Sequence, residues 1–293
     1  MRFIAGLCFA VVCSLAAAGV SADQGAYPKT EKELDAAYAA LQWQNKAGPY
    51  ALRASHATIQ LPAGQMLLLG ADAERYSWLT SGLEFPGTEA VLTYDSDNAN
   101  GDVYYDWRGE GYIADSDWDD VDGDALLAQY REVTESSNKE RVKNGAAPIQ
   151  VVGWLETPHY DKATRTVTYA MELKDDRGGW ANAVALRLGR TGYTEFTWVG
   201  STEQFKGSRG RPDLLNQGLA IHAFDAGYRY EDFRDGDKVA AYGIAGVMAA
   251  ALGLESKGQI IADLAKIAIP LIAVAALALW ESRELFSSFR RRL

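Results

Sequence analysis

Between residues 149 and 199 the chain carries four β-type segments in succession. They span 149–156, 166–173, 181–188 and 193–199, and only short turns containing Gly, Pro or Asp separate them. Strands joined this tightly pair antiparallel, because a parallel return needs a crossover of a dozen or more residues. Upstream, 57–61, 90–94 and 103–107 read as further strands, and 66–69 is a short apolar run. The connection 95–102 is rich in Asp, Asn and Gly, as a hairpin loop is. Helices are expected at 23–44, where Thr30-Glu31-Lys32-Glu33 forms a capping-box pattern, at 71–79, and at 123–143, with Asp122 or Asp124 as the cap. The stretch 202–224 reads as a helix interrupted around 207–212. Strands and helices are segregated rather than alternating. The expected fold is therefore α+β, an antiparallel sheet backed by helices, with a C-terminal transmembrane helical anchor.

The anchor is read from the two ends of the chain. Residues 1–22 resemble a secretory signal: Arg2, an uncharged apolar run, then small residues before Asp23. Cys8 and Cys13, the two cysteines of the chain, both fall in this segment, so the body from 23 to 238 has no thiol for a disulfide, a nucleophile or a metal. At the other end, 239–254 is uncharged, and Ala241, Ala245, Ala249 and Gly253 recur every fourth residue. Segment 260–280 is long enough to cross a bilayer and ends on Trp280, an interfacial residue type. The tail 281–293 carries Arg283, Arg290, Arg291 and Arg292, which the positive-inside rule puts in the cytoplasm. One crossing at 260–280, with 239–254 packed beside it or at the interface, satisfies that rule. A hairpin of two crossings is the alternative. The expected location is a bacterial inner membrane with the body exported to the periplasm.

Charge narrows the partners. The body holds 22 basic and 35 acidic residues, against an overall net charge of −10. A nucleic-acid partner needs a basic face, so none is expected. The acidic excess concentrates at 95–124. There Asp115, Asp117 and Asp119 match the first, third and fifth ligand positions of an EF-hand loop, whereas Asp120 and Leu126 stand where Gly and Glu are required. These three are weak candidates for an irregular divalent-cation site; the competing reading is a solvated loop with a helix cap. His56, His159 and His222 lie far apart and form no zinc motif. No G-x-S-x-G, P-loop or G-x-G-x-x-G occurs, and Ser136-Ser137-Asn138-Lys139 fits S-x-x-K without its companion motifs. No cofactor and no catalytic set are expected. His159, beside Tyr160 and Asp161, is the one acid–base candidate set against a turn residue.

Several motifs then come in series: Val151-Val152-Gly153-Trp154 with Tyr160 and Asp161; Leu188-Gly189-Arg190; Tyr228-Arg229-Tyr230 with Phe233; and Asp237-Lys238 leading to Tyr242-Gly243. In these residues the chain resembles uncharacterised membrane-anchored bacterial proteins grouped as a domain of unknown function, from about residue 48 to the C-terminal helices. The resemblance implies bacterial origin and membrane anchoring, and no catalytic residues. Relatives have a second Asn near Val184, so an Asn pair with Asn182 is not implied here. Tyr228, Tyr230 and Phe233 precede the apolar segments closely and suit either a headgroup belt or a packed core.

The function expected is that of an envelope protein whose acidic exported domain binds another membrane or envelope protein. The alternatives are an exported hydrolase of envelope material, using His159 or carboxylates of the acidic stretch, and a cation-binding protein.

Overall fold

The computed structural model describes residues 27–81, 85–94, 101–143, 147–176, 178–207, 212–252 and 254. In chain order the elements are α1 (Glu31–Ala39), β1 (Gly48–Leu52), β2 (Ala57–Leu61), β3 (Gln65–Leu69), α2 (Ala71–Ser81), β4 (Thr88–Tyr94), β5 (Asp102–Arg108), α3 (Gly123–Lys143), β6 (Gln150–Asp161), β7 (Thr166–Asp175), β8 (Gly178–Leu188), β9 (Tyr193–Ser201), α4 (Thr202–Gly207), α5 (Asp213–Ile221), β10 (His222–Phe224) and α6 (Ile244–Ala251). The run β6 to β9 is a meander, and β9 returns beside β5. The result is a seven-stranded sheet of order β3-β4-β5-β9-β8-β7-β6, antiparallel throughout. A second sheet, β1-β2-β10, is separate and also antiparallel.

The period of two along each strand divides the core between the two faces of the large sheet. On one face Val167, Tyr169, Met171, Leu173, Val184 and Leu186 pack with Leu127 and Tyr130 of α3 and Ile244, Val247 and Met248 of α6. Beside them, α1 and α2 cover Leu68, Val91 and Tyr104. On the other face Ala170, Ala181, Ala183 and Ala185 leave room for Phe196 and Trp198 to meet Leu214, Leu215 and Leu219 of α5 and Ile59 of the small sheet.

The helix ends follow local chemistry. Thr30 accepts from the Glu33 amide, and the Glu33 carboxylate accepts from the Thr30 amide, which closes the capping box of α1. For α3 the cap is Asp122, whose Oδ1 accepts from the amides of Asp124 and Ala125 at 3.0 Å each. On α3 the buried Asn138 side chain both donates to and accepts from the Ile149 backbone at 2.8 Å, tying the helix to the start of β6.

Three expectations are corrected. First, β6 does not stop at Glu156 but continues through Pro158 and His159 to Asp161. As an edge strand it tolerates a residue with no N–H, and it absorbs the mismatch as shifts in its register with β7. Second, the stretch 202–224 is not helical to its end: His222–Phe224 pairs with β2, and β1 completes a small sheet that was not anticipated. Third, 239–254 is not one helix. Val239 bridges Tyr112 in extended form, and only Ile244–Ala251 is helical. Eight residues rise about 12 Å. The apolar side of α6 is buried in the domain core. Of the small-residue stripe, Ala241 precedes the helix and Gly253 lies outside the described residues. The signal 1–22, segment 260–280 and the tail 281–293 also lie outside them. Among the described residues no helix is long and apolar enough to cross a membrane.

Candidate functional site

After β10 the chain crosses the end of the large sheet as a strap, 225–243, and most of the motif residues meet beneath it. Gly189 bridges Arg229 backbone to backbone. A Cβ on Gly189 would lie 2.9 Å from the Phe224 ring, so the glycine admits that ring. Arg190 holds Asp237 through two bonds of 2.7 and 2.6 Å and donates to the Gly227 carbonyl at 2.9 Å. Its guanidinium, with the Arg234 amide, holds the Asp237 carboxyl down at about 2. The Lys238 carbonyl accepts from the Tyr112 amide at 2.8 Å, while the Lys238 and Arg229 side chains are exposed. Tyr228 stacks on His56 at 3.8 Å.

Below the strap, Asp115 is the hub. It accepts from the Tyr160 hydroxyl at 2.6 Å and the Tyr230 hydroxyl at 3.3 Å, and it pairs with Arg165 at 2.5 Å. Burial alone would raise the Asp115 carboxyl; the Tyr160 hydroxyl and the Arg165 guanidinium outweigh it and hold the group below its usual range. The Arg165 guanidinium also lies 4.8 Å over the Tyr230 ring. Asp117 caps α6, accepting from the amides of Ile244 at 2.9 Å and Ala245 at 3.3 Å. Any Cβ on Gly243 would collide with that carboxylate, so glycine is required there by close approach.

These contacts show where the acidic candidates lie. Asp115 is neutralised by Arg165, Asp117 faces the positive end of a helix, and Asp119 is exposed. The three carboxylates are turned to separate tasks and do not converge. Among the described residues no group of three or more His, Cys, Asp or Glu side chains is placed to hold a metal ion. Tyr230, 5% exposed and bonded to the Ile113 carbonyl at 2.9 Å, is a core aromatic and not part of a headgroup belt. Phe233 stays at the surface on Tyr112, with ring centres 4.2 Å apart.

The remaining motif residues lie on β6 and its turn. Gly153 stands at a register shift, and the Trp154 indole donates to the Gly123 carbonyl at 3.1 Å. Asp161 closes the β6–β7 turn by accepting from the Ala163 amide and the Thr164 hydroxyl. His159 is exposed on the same edge strand, and Ser136 and Lys139 are exposed on α3.

A second polar cluster had no motif to announce it. Asp106 on β5 and Glu195 on β9 are register partners, 7% and 8% exposed, on the face that α3 and α6 cover. Thr88 donates to Asp106, and Thr197 donates weakly to Glu195 at 3.5 Å. Burial pushes the Glu195 carboxyl up to about 7, with Arg108 opposing and Asp106 adding, and burial also raises Asp106. Arg108, two residues along β5, is the cation of this cluster; the Asp106 and Glu195 charges raise it despite its burial. Tyr242, pushed up to about 12 by burial and then by Glu110, ties the strap to the same cluster. Asp106 belongs to the acidic stretch, but Glu195 sits alone in a β run. Only the β5–β9 register brings the two together. Burial and the facing carboxylate both favour the protonated form of Glu195.

A comparison with curated proteins gives no match. Among solved structures, the solution structure of cyanobacterial PsbP (CyanoP) from Synechocystis sp. PCC 6803 aligns at 10% identity over 63% of this chain and 94% of that one, with a TM-score of 0.36. At that score the likeness carries no argument. Residues 44–280, spanning the strap, both clusters and every motif above, match the model of a family described as a protein of unknown function, and the chain belongs to that family, DUF2167.

Proposed function

We propose that this is a membrane-anchored envelope protein. Its acidic domain is exported, 260–280 is its single crossing, and the arginine tail stays in the cytoplasm. The domain works as a non-enzymatic module that binds another membrane or envelope protein. The observation that carries this reading is what the motif side chains do. Arg190, Asp237, Asp115, Tyr160 and Tyr230 are engaged with one another or with backbone, and Gly243 with Asp117 sets the helix that ends the domain. Such a junction fixes how the domain meets its C-terminal segment. Leu254 is buried in the core, and the five residues 255–259 separate it from the apolar segment. Fully extended, that link reaches about 20 Å, so a crossing at 260–280 holds the domain close to the bilayer. An acidic surface this near the membrane suits a partner with a basic extramembrane face.

The test is crosslinking in intact cells followed by identification of what is captured, with a reporter enzyme fused after Leu293. Recovery of one membrane or envelope protein, lost when the acidic surface is neutralised, supports the reading. Reporter activity only in the exported compartment sinks the single crossing. Turnover of envelope material by the purified chain sinks the non-enzymatic module.

A further inference from the structure

At its far end β5 joins the buried carboxylate pair to the strap. Asp106 and Glu195 face each other across β5 and β9, and both are buried. Arg108 follows two residues along β5, on the same side, opposite the buried Tyr193. Among the described residues its guanidinium makes no direct ion pair with either carboxylate. It is held instead by one long bond, from Nη1 to the Pro86 carbonyl at 3.3 Å. From that seat its charge acts on Asp106, Glu195, Tyr193 and Glu110 together. Glu110 in turn faces the Tyr242 hydroxyl of the strap. Tyr169 on β7, whose buried hydroxyl has no partner, faces Glu195, and Tyr104 on β5 faces Asp106. The residues that follow Arg108 are the seat of the strap. The Glu110 amide donates to the Arg108 carbonyl at 3.0 Å and the Gly111 amide to the Thr191 carbonyl at 3.1 Å. The Tyr112 amide donates to the Lys238 carbonyl and the Ala240 amide to the Tyr112 carbonyl, at 2.8 Å each, and the Ile244 amide donates to the Ala114 carbonyl at 2.9 Å. A Cβ on Gly111 would lie 2.7 Å from the Lys238 carbonyl oxygen. The two chains touch there, so 110–112 cannot shift without moving 238–240.

Two buried carboxylates that face each other with no cation in contact do not both ionise without cost. Burial accordingly keeps the Glu195 carboxyl protonated up to about 7. Loss of that proton places a second buried negative charge beside a guanidinium that only one long bond restrains. The field of two carboxylates draws the guanidinium toward them, and Glu110 is left beside Tyr242 with its cation withdrawn. We propose that the Asp106–Glu195 pair is a proton-operated latch on the strap. With the proton in place, Arg108 keeps its seat beside Glu110 and the strap is closed on 110–114. Without it, Arg108 swings onto the pair and segment 238–244 loosens. A small displacement suffices, because the strap is seated by close packing at Gly111 rather than by a compliant surface. The latch is built from residues within the domain and stands whether or not 260–280 crosses a bilayer.

The experiment is amide hydrogen exchange on the full chain in detergent, at about pH 5.5 and about pH 8.5, on either side of the Glu195 transition, with the intrinsic pH dependence of exchange removed. The amides of Tyr112, Ala240 and Ile244 report the strap, and the β7–β8 ladder is the internal reference. In the wild-type chain, protection of the strap amides is expected to fall roughly ten-fold or more at the higher pH, the equivalent of one pK unit of linkage, while the reference ladder changes far less. Glu195→Gln, a neutral copy of the protonated side chain, is expected to keep the strap protected at both values. Should that variant fail to fold, Asp106→Asn carries the test: a lone Glu195 no longer needs the proton, and the drop is expected to vanish. Strap protection that does not change with pH in the wild-type chain overturns the proposal. So does a fall shared equally by the β7–β8 ladder, or a drop that persists undiminished in the folded variant.

Discussion

The two faces of β5, β9 and β8 bury ionisable groups of opposite excess. Under α3 and α6, the carboxylates of Asp106 and Glu195 share one arginine, Arg108. Under α5, Arg187 and His222 share no carboxylate among the described residues. Each face moves its groups toward neutrality: Glu195 holds its proton to about pH 7, and burial with the Arg187 charge lowers His222 to about 3, so its ring is uncharged. The same strands therefore carry two linkages of opposite sign. Glu195 is raised from an unfolded value of 4.5, so the folded state binds more protons between about 4.5 and 7. Stability from this group is fully present below 4.5 and is lost as pH rises through 7. His222 is depressed from 6.5. Its stability is present above 6.5 and is lost as pH falls toward 3. Between 4.5 and 6.5 the two slopes oppose, and wild-type stability is expected to be nearly flat there.

The largest way to break this contrast is to remove the shared cation. Arg108→Met leaves two facing carboxylates with none, and is expected to lose about 3 kcal/mol or more in urea denaturation at pH 8, with a much smaller loss at pH 5 where a proton replaces the guanidinium. An equal loss at both values would show that Arg108 acts by packing. Glu195→Gln is expected to do the reverse, stabilising by roughly 1–3 kcal/mol at pH 8 and by little at pH 4.5. A destabilised variant at pH 8 would mean that the pair is charged and needed. His222→Phe tests the other face alone. It is expected to remain within about 1 kcal/mol of wild type at pH 7 and to flatten the acid limb, so that stability rises on acidification under the Glu195 slope; an unchanged limb would assign it elsewhere. The smallest effect is expected from Asp237→Asn in the strap, where the carboxylate is held at about 2. That contribution is present above 3.8 and lost as pH falls through 2, so the melting temperatures of variant and wild type should converge at pH 2. Persistence of the difference there would deny the Arg190 pair its role.

Much of the architecture was legible in advance because it is local. The capping box at Thr30, the helix 123–143 and the turn-bounded β segments declare themselves through spacing and turn chemistry. The motif residues around Asp237 and Gly243 stand out as types, yet their tasks do not follow from sequence. Asp117 reads equally well as a cation ligand until the amide of Ile244 appears beside it, 127 positions away. Segment 239–254 reads as membrane-directed because hydropathy counts apolar residues without saying what covers them, and the domain core covers α6 as well as lipid would. β1 and β10 are short and hold each other's edges only through β2, so neither has a periodic signature of its own.

By itself the sequence determines the α+β class, the antiparallel meander and the acidity of the body, since propensity, turn chemistry and charge are properties of neighbouring residues. The tertiary structure alone decides which charges meet. Glu195 faces Asp106 because β9 returns to β5, and Arg187, where α5 closes over β8, meets no carboxylate among the described residues. The free energy of a buried charge depends on what lies a few ångströms away across strands, and no pattern along the chain encodes that distance.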